Sequence, residues 1–288
     1  LIGASKNERF VYDSYRRLIM MYADVVMEKG LGLGDRPGIR EKMEALLEKM
    51  KKKNKHSSDS DVSAAEWKSL IKKYLSLIKK NFGVPFPDDH NEQLRGAIEA
   101  VFLSWNGKRA KEYRAFEKIS SEGGTAVSVQ AMVFGNIGEG CGTGVAFTRN
   151  PSTGENSFFG EWLPNAQGED VVAGIRTPQT ISGAKKGALE KEMPKAYKSL
   201  QKIRTKLEAH FKEMQDIEFT IENDKLWMLQ TRTGKRSGAA AIKIATDMVA
   251  ERLIKKNEAL VRINPDQVYE SILKNIVEED LKTASLLG

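Results

Sequence analysis

The chain has 288 residues, with 46 lysines and arginines against 39 acids, a formal net charge of +7, 40% hydrophobic residues and 30% charged ones. That length suits one large domain or two modest ones, and the composition suits a globular protein with highly charged surfaces. No run approaches the roughly 18–20 apolar residues needed to cross a bilayer, so no membrane partner is expected. The single cysteine, Cys141, excludes an internal disulfide framework and fits a reducing compartment, cytoplasm or organelle lumen. The Leu1-Ile2-Gly3-Ala4 start is neither a signal nor a transit peptide and reads as a chain entered midway.

Helical patterns open the chain, from about Glu8 to Met27, Pro37 to Lys53, Ser63 to Asn81 and Asn91 to Trp105. Breaks at Gly30–Gly34 and Gly83–Pro87 divide them, and Ser63 followed by Glu66 reads as a capping box. Arg16 and Arg17 on the first helix either reach a phosphate site or cap a surface. Lysines crowd Glu48–His56 and recur at Lys72, Lys73, Lys79 and Lys80, a field that attracts phosphate backbones. The first cluster runs into the polar Ser57–Asp61 turn, and the second lies on the polar face of an amphipathic helix. No aromatic platform interleaves with either, so nucleic-acid binding is not expected.

From Thr125 the apolar period becomes two. It predicts strands near 125–134, 143–149, 156–163, 214–222 and 226–232, with helices around 184–192 and 194–212. After Gly234 come a helix over Ser237–Leu253 and shorter ones to about Lys274. The expected fold class is α+β: a helical subdomain over 1–92, an α+β subdomain over 93–235 and a helical segment over 236–288.

Two segments carry chemistry. Glycines 135, 138, 140, 142 and 144 fall between two apolar strands, where successive peptide N–H groups can turn inward around an anion. The loop is neither a Walker A sequence nor a dinucleotide turn, and a mobile connection is the plainer reading. The run Gln215–Arg232 reads as a β-hairpin in which Ile217, Phe219 and Ile221 alternate with Asp216, Glu218 and Thr220. A three-residue turn of Asn223, Asp224 and Lys225 pairs Ile221 with Trp227, Phe219 with Leu229, Glu218 with Gln230 and Asp216 with Arg232. A two-residue turn would set Glu218 against Leu229 and scramble both faces, so the longer turn is expected. Two carboxylates beside a guanidinium suit a hard cation and phosphate oxygens; a solvated Asp–Arg pair is the bland alternative.

Several blocks in order give the chain a family resemblance. They are Thr125–Arg176 (TAVSVQAMVFGNIGEGCGTGVAFTRNPSTGENSFFGEWLPNAQGEDVVAGIR), Asp-x-Glu-Phe-Thr, Leu-Gln-Thr-Arg, and the segments Asn7–Val26, Gln93–Trp105 and Arg176–Ile181. Together they closely resemble the ATP-grasp nucleotide-binding domain of the pyruvate phosphate dikinase family, with phosphoenolpyruvate synthases sharing a looser version. The resemblance implies a partial ATP-grasp fold and a phosphotransferase with paired acceptors. Such an enzyme binds Mg²⁺ and ATP, phosphorylates a histidine on a swivelling domain and converts pyruvate to phosphoenolpyruvate reversibly. It implies Glu218 and Arg232 as catalytic groups, and Glu218, Asp216 and Gln230 around the metal. It also places Thr143 and Gly144 on the triphosphate, Gln130 and Glu169 near the nucleotide, and Met132 and Val133 along the adenine.

The implied partners are the phosphohistidine and pyruvate-binding domains of the same parent chain, in a homodimer. The family's opening glycine- and lysine-bearing segment and its arginine-bearing stretch have no counterpart here, so this fragment alone is not expected to be competent. His56, His90 and His210 sit in no phosphohistidine motif and read as surface or packing residues. Cys141 stands where the family carries a small or hydroxyl residue, and an exposed thiol there would sensitise the loop to thiol reagents. Asn106-Gly107-Lys108 replaces a proline-containing version before Arg109. The alternatives are a phosphoenolpyruvate synthase-like kinase domain and a non-catalytic helical interaction module.

Overall fold

In the computed structural model the described residues are 2–29, 38–172, 174, 176–183 and 185–272. They form two compact units that divide between Ala131 and Met132. The first is helical. Helix α1 spans Glu8–Tyr22, begins where the Asn7 side chain accepts the Phe10 N–H, and continues as a wider π-turn over Ala23–Glu28. Helix α2 spans Ile39–Asn54; the predicted break at Gly30–Gly34 lies outside the described residues. Helix α3 spans Ala64–Phe82, and its start is the predicted capping box, with Glu66 accepting the Ser63 N–H at 2.8 Å. Gly83 ends it at φ 74°, where a side chain would be strained.

Ile19, Met43, Trp67, Leu70, Tyr74 and Ile78 fill the core of this unit. Packing carries the unit past residue 92 into α4, His90–Ser104, because Gly96 lets that helix lie against Tyr22 and Val26. Helix α5, Lys108–Phe116, follows. Arg16 and Arg17 do not face outward to a ligand. Arg16 is buried, bonded to Asp13 at 2.9 Å and to Asp59, and it lies 4.6 Å from the Trp67 ring centre. Arg17 shares Asp13, at 3.3 Å.

The second unit is built on a five-stranded antiparallel sheet in the order β3-β2-β1-β4-β5. Its strands are β1 Gly142–Phe147, β2 Phe159–Pro164, β3 Gln179–Thr180, β4 Gln215–Glu222 and β5 Lys225–Thr233. The predicted strand over 125–134 is not formed. Its alternating valines fit the pattern, but a strand needs a neighbour's hydrogen bonds, and residues 125–134 pair with no strand of this sheet. One sheet face carries Ala146, Trp162, Ile217, Phe219 and Ile221 against Ala196, Tyr197 and Leu200 of α6, Pro194–Phe211. Each of the larger side chains, such as Ile217, Phe219, Ile221 and Leu200, contributes about 1.5–3 kcal/mol by leaving water. Of the helix predicted around 184–192, residue 184 lies outside the described residues, and among the described ones only the turn Leu189–Glu192 forms.

Helix α7, Gly238–Ala250, packs Ile244 and Met248 against Met214, and α8, Lys256–Arg262, and α9, Pro265–Ile272, follow. Buried Arg149 fastens the sheet to two helices. It donates to Glu208 of α6 at 2.8 and 3.0 Å and to Glu251 after α7 at 2.6 and 3.0 Å. Burial works against its charge, but the bonds to Glu251 and Glu208 outweigh this and hold its pKa above the ordinary guanidinium value.

Candidate functional site

The β4–β5 hairpin closes through Asn223 and Asp224 alone, at φ 49° and 62°. These are the left-handed angles of a type I′ turn, which asparagine and aspartate tolerate and whose twist matches that of the flanking strands. The expected three-residue turn is therefore wrong near the tip: Ile221 faces Leu226, Thr220 faces Trp227 and Phe219 faces Met228. Leu229 is then an extra residue, a bulge between the Phe219–Met228 and Glu218–Gln230 pairs, and it shifts the register by one. Beyond it the expected partners return, Glu218 with Gln230 and Asp216 with Arg232. The bulge does for the polar end what the longer turn was expected to do.

Asp216, Glu218 and Thr220 thus share one face with Gln230 and Arg232, opposite the apolar core. Arg232 donates from Nε to Asp216 Oδ2 at 2.7 Å, its side chain 62% exposed against 9% for the aspartate. The hydrogen bond to Asp216 and then its charge push the Arg232 pKa up, and Glu218 adds to the effect. Asp216 is already engaged, whereas the half-buried Glu218 and the exposed Gln230 make no side-chain hydrogen bond among the described residues. A partly desolvated carboxylate beside a guanidinium and a free amide is a set of groups open to a ligand.

The other predicted residues are placed differently. Thr143 is buried opposite Thr220, its hydroxyl donating to the Phe219 carbonyl at 3.0 Å and lying 3.2 Å from the Thr220 hydroxyl. Gly144 turns its Cα to the apolar face, where an added Cβ would stand 2.6 Å from Phe219 and 2.9 Å from Trp162. Thr143 therefore shares the polar face with Thr220, whereas Gly144 brings no side chain to it. Glu169 is half-buried in the short helix Gly168–Val172. Met132 is exposed and Val133 half-buried in a segment without regular structure, and Gln130 is exposed in the first unit.

The glycine-rich connection is not loose, and its one thiol is hidden. Cys141 is 3% exposed and its Sγ accepts the Asn223 N–H at 3.3 Å, which corrects the expectation of a reactive loop cysteine. His56 is bonded to Glu66 at 2.8 Å, and His210 stacks edge-on against Phe211. Sequence reading missed Arg149, whose only signal was a charged residue just past an apolar strand, and Glu222, which accepts the Phe134 N–H at 2.7 Å. Among the described residues no group of three or more His, Cys, Asp or Glu side chains could hold a metal ion, so the hairpin offers two carboxylates.

The chain matches the family model for the pyruvate phosphate dikinase AMP/ATP-binding domain over residues 42–196 and 189–253. It is 54% identical over 265 residues to pyruvate, phosphate dikinase of Rhizobium meliloti (strain 1021), covering 89% of this chain and 28% of that protein. Against pyruvate, phosphate dikinase of Clostridium symbiosum the identity is 47% over 283 residues, covering 98% of this chain and 31% of that one. The chloroplastic pyruvate, phosphate dikinase 1 of Arabidopsis thaliana is 48% identical over 268 residues, 93% of this chain and 26% of that one. The chain thus spans less than a third of the length of these relatives.

Proposed function

This chain belongs to the pyruvate phosphate dikinase AMP/ATP-binding domain family, and from that premise we propose that it holds Mg-ATP for an enzyme that phosphorylates a histidine on a separate domain. In the whole enzyme that domain carries the phosphoryl group to pyruvate, and inorganic phosphate is the second acceptor. The reading rests on one observation above all. The bulge at Leu229 gathers buried Asp216, half-buried Glu218 and exposed Gln230 and Arg232 onto one side of the hairpin, and among the described residues the Glu218 and Gln230 side chains are unengaged.

Magnesium takes oxygen ligands, usually one or two carboxylates with phosphate oxygens and water making up the rest, so a pair of acids rather than a closed cage is the right donor set. Glu218 would hold the ion, with Asp216 and Gln230 beside it. When bound, the ion supplies neutralisation of the triphosphate charge. Arg232, steadied by Asp216, presents its remaining guanidinium donors to phosphate oxygens, whose geometry they match. Phosphoryl transfer depends chiefly on positioning and charge balance, and these residues supply both without covalent chemistry of their own. Thr143, beside Thr220 on the neighbouring strand β1, and Gly144 next to it are assigned to the triphosphate. Glu169, Gln130, Met132 and Val133 are assigned to the nucleoside end.

The partners are the phosphohistidine and pyruvate-binding domains of the parent protein, assembled as a homodimer. No described helix is long and apolar enough to cross a membrane. Calorimetric titration of this chain with ATP, with and without Mg²⁺, tests the reading. Weak, metal-dependent binding is expected, reduced roughly tenfold or more in Glu218→Gln, the scale of a lost charged contact, with the melting temperature unchanged. Absence of binding at millimolar ATP, or equal affinity with and without the metal, would contradict it.

A further inference from the structure

The glycine-rich segment is anchored at both ends. At its start the Gly135 carbonyl accepts the Ala166 N–H at 2.8 Å, and the buried Asn136 side chain accepts from Gln167 Nε2 at 2.8 Å. Any Cβ on Gly135 would stand 2.3 Å from the Ala166 oxygen, so this approach requires glycine. At its end the Cys141 carbonyl accepts the Asn165 N–H at 2.9 Å. The remaining ties run to the tip of the β4–β5 hairpin. Glu222 accepts the Phe134 N–H at 2.7 Å, Cys141 Sγ accepts the Asn223 N–H at 3.3 Å, and the Gly140 carbonyl accepts the Asp224 N–H at 2.8 Å. Gly140, at φ 71°, brings its bare Cα against the Asp224 carboxylate, where an added Cβ would lie 3.1 Å away. Ile137, Gly138 and Glu139 lie between these two sets of anchors.

We propose that the Glu222–Asp224 turn is the positioning element of the glycine-rich loop, with Glu222 and Cys141 as positioning residues for the bound triphosphate. The inference rests on the Mg-ATP reading above and deepens it. One hairpin presents the polar face at its bulged end and, at its tip, fixes where the loop's peptide N–H groups stand. The two halves of a phosphate site, side-chain charges and backbone donors, are thereby held by a single rigid ribbon. The tight turn is essential to this, because a longer one would carry the Asn223 and Asp224 N–H groups away from Cys141 and Gly140. Two of the ties use the turn's backbone N–H groups, and the side chains that can be removed are the Glu222 carboxylate and the Cys141 thiol.

The test uses Glu222→Ala and Cys141→Ala, with Glu222→Gln and Cys141→Ser as conservative counterparts that keep an acceptor. Amide hydrogen exchange of Gly138, Glu139 and Gly140 is measured without nucleotide, and Mg-ATP affinity is measured by calorimetry. Each alanine variant is expected to speed exchange of the loop amides roughly tenfold and to weaken Mg-ATP roughly tenfold, while the amides of β1 and β4 stay protected. The Gln and Ser variants are expected to stay close to the unsubstituted chain in both readouts. Unchanged loop exchange in both alanine variants would overturn the proposal, as would equal losses in the conservative and alanine variants. If the unsubstituted chain bound no Mg-ATP, the functional reading would fail on its own, and loop exchange would still decide whether the turn positions the loop.

Discussion

Two charge clusters in this chain are made of similar side chains and end in opposite states. In the helical unit Asp59 receives Arg16, Lys51 at 3.1 Å and Arg17 at 3.6 Å, while Asp13 binds Arg16 from the same helix. Arg16 is fully covered by Trp67 and its neighbours. On the hairpin one ion pair forms among the described residues, Asp216 with a largely exposed Arg232, and the Glu218 side chain beside it makes no hydrogen bond to any of them. The first cluster is closed on itself, so its charges hold helices together. The second keeps donors and acceptors unspent, as a binding surface must.

The largest expected effect breaks the closed cluster. Arg16→Met removes the most buried cation of Asp13 and Asp59, leaving Arg17 at 3.3 and 3.6 Å from them, and about 3 kcal/mol of stability should be lost in urea denaturation. Arg149→Met, which strands Glu208 and Glu251 in the second unit, belongs to the same class and should cost about as much. Arg232→Ala, on the open cluster, should change stability by less than about 1 kcal/mol because its pair is solvent-screened. A loss of several kcal/mol there would mean that the hairpin charges are structural after all, and the contrast between the clusters would collapse.

Acid sharpens the same contrast with a smaller effect. Burial raises the Asp59 pKa, but the charges of Arg16, Lys51 and Arg17 outweigh it and leave the group below its usual 3.8. Hydrogen bonds from Ser63 and then His56 push Glu66 down to about 2 from 4.5. Both carboxyls bind fewer protons folded than unfolded, so their stabilisation is complete above the ordinary values and drains as pH falls below them. The helical unit should therefore soften between about pH 4.5 and 2, as followed by its tryptophan fluorescence, and Asp59→Asn should flatten that slope.

The strands and helices were largely legible because their apolar periods are regular. Residues 215–222 and 125–134 show the same alternation, yet only the first became a strand, since alternation says which face is apolar and nothing about whether a neighbour is present to bond. The hairpin was legible at its polar end and misread at its tip. A two-residue turn with a bulge and a three-residue turn give the same pairing beyond Leu229, and sequence alone did not separate them. Cys141 was read as exposed because glycines surround it, whereas Asn223, far along the chain, buries it. Arg149 escaped notice for a similar reason: its partners lie 59 and 102 residues away.

The polar face of the hairpin is most directly tested by replacing Mg²⁺ with paramagnetic Mn²⁺ and following amide resonances as Mn-ATP is added. Broadening should be strongest at Asp216–Thr220 and Gln230–Arg232, and it should weaken sharply in Glu218→Gln. Broadening centred elsewhere, or undiminished by that substitution, would contradict the account.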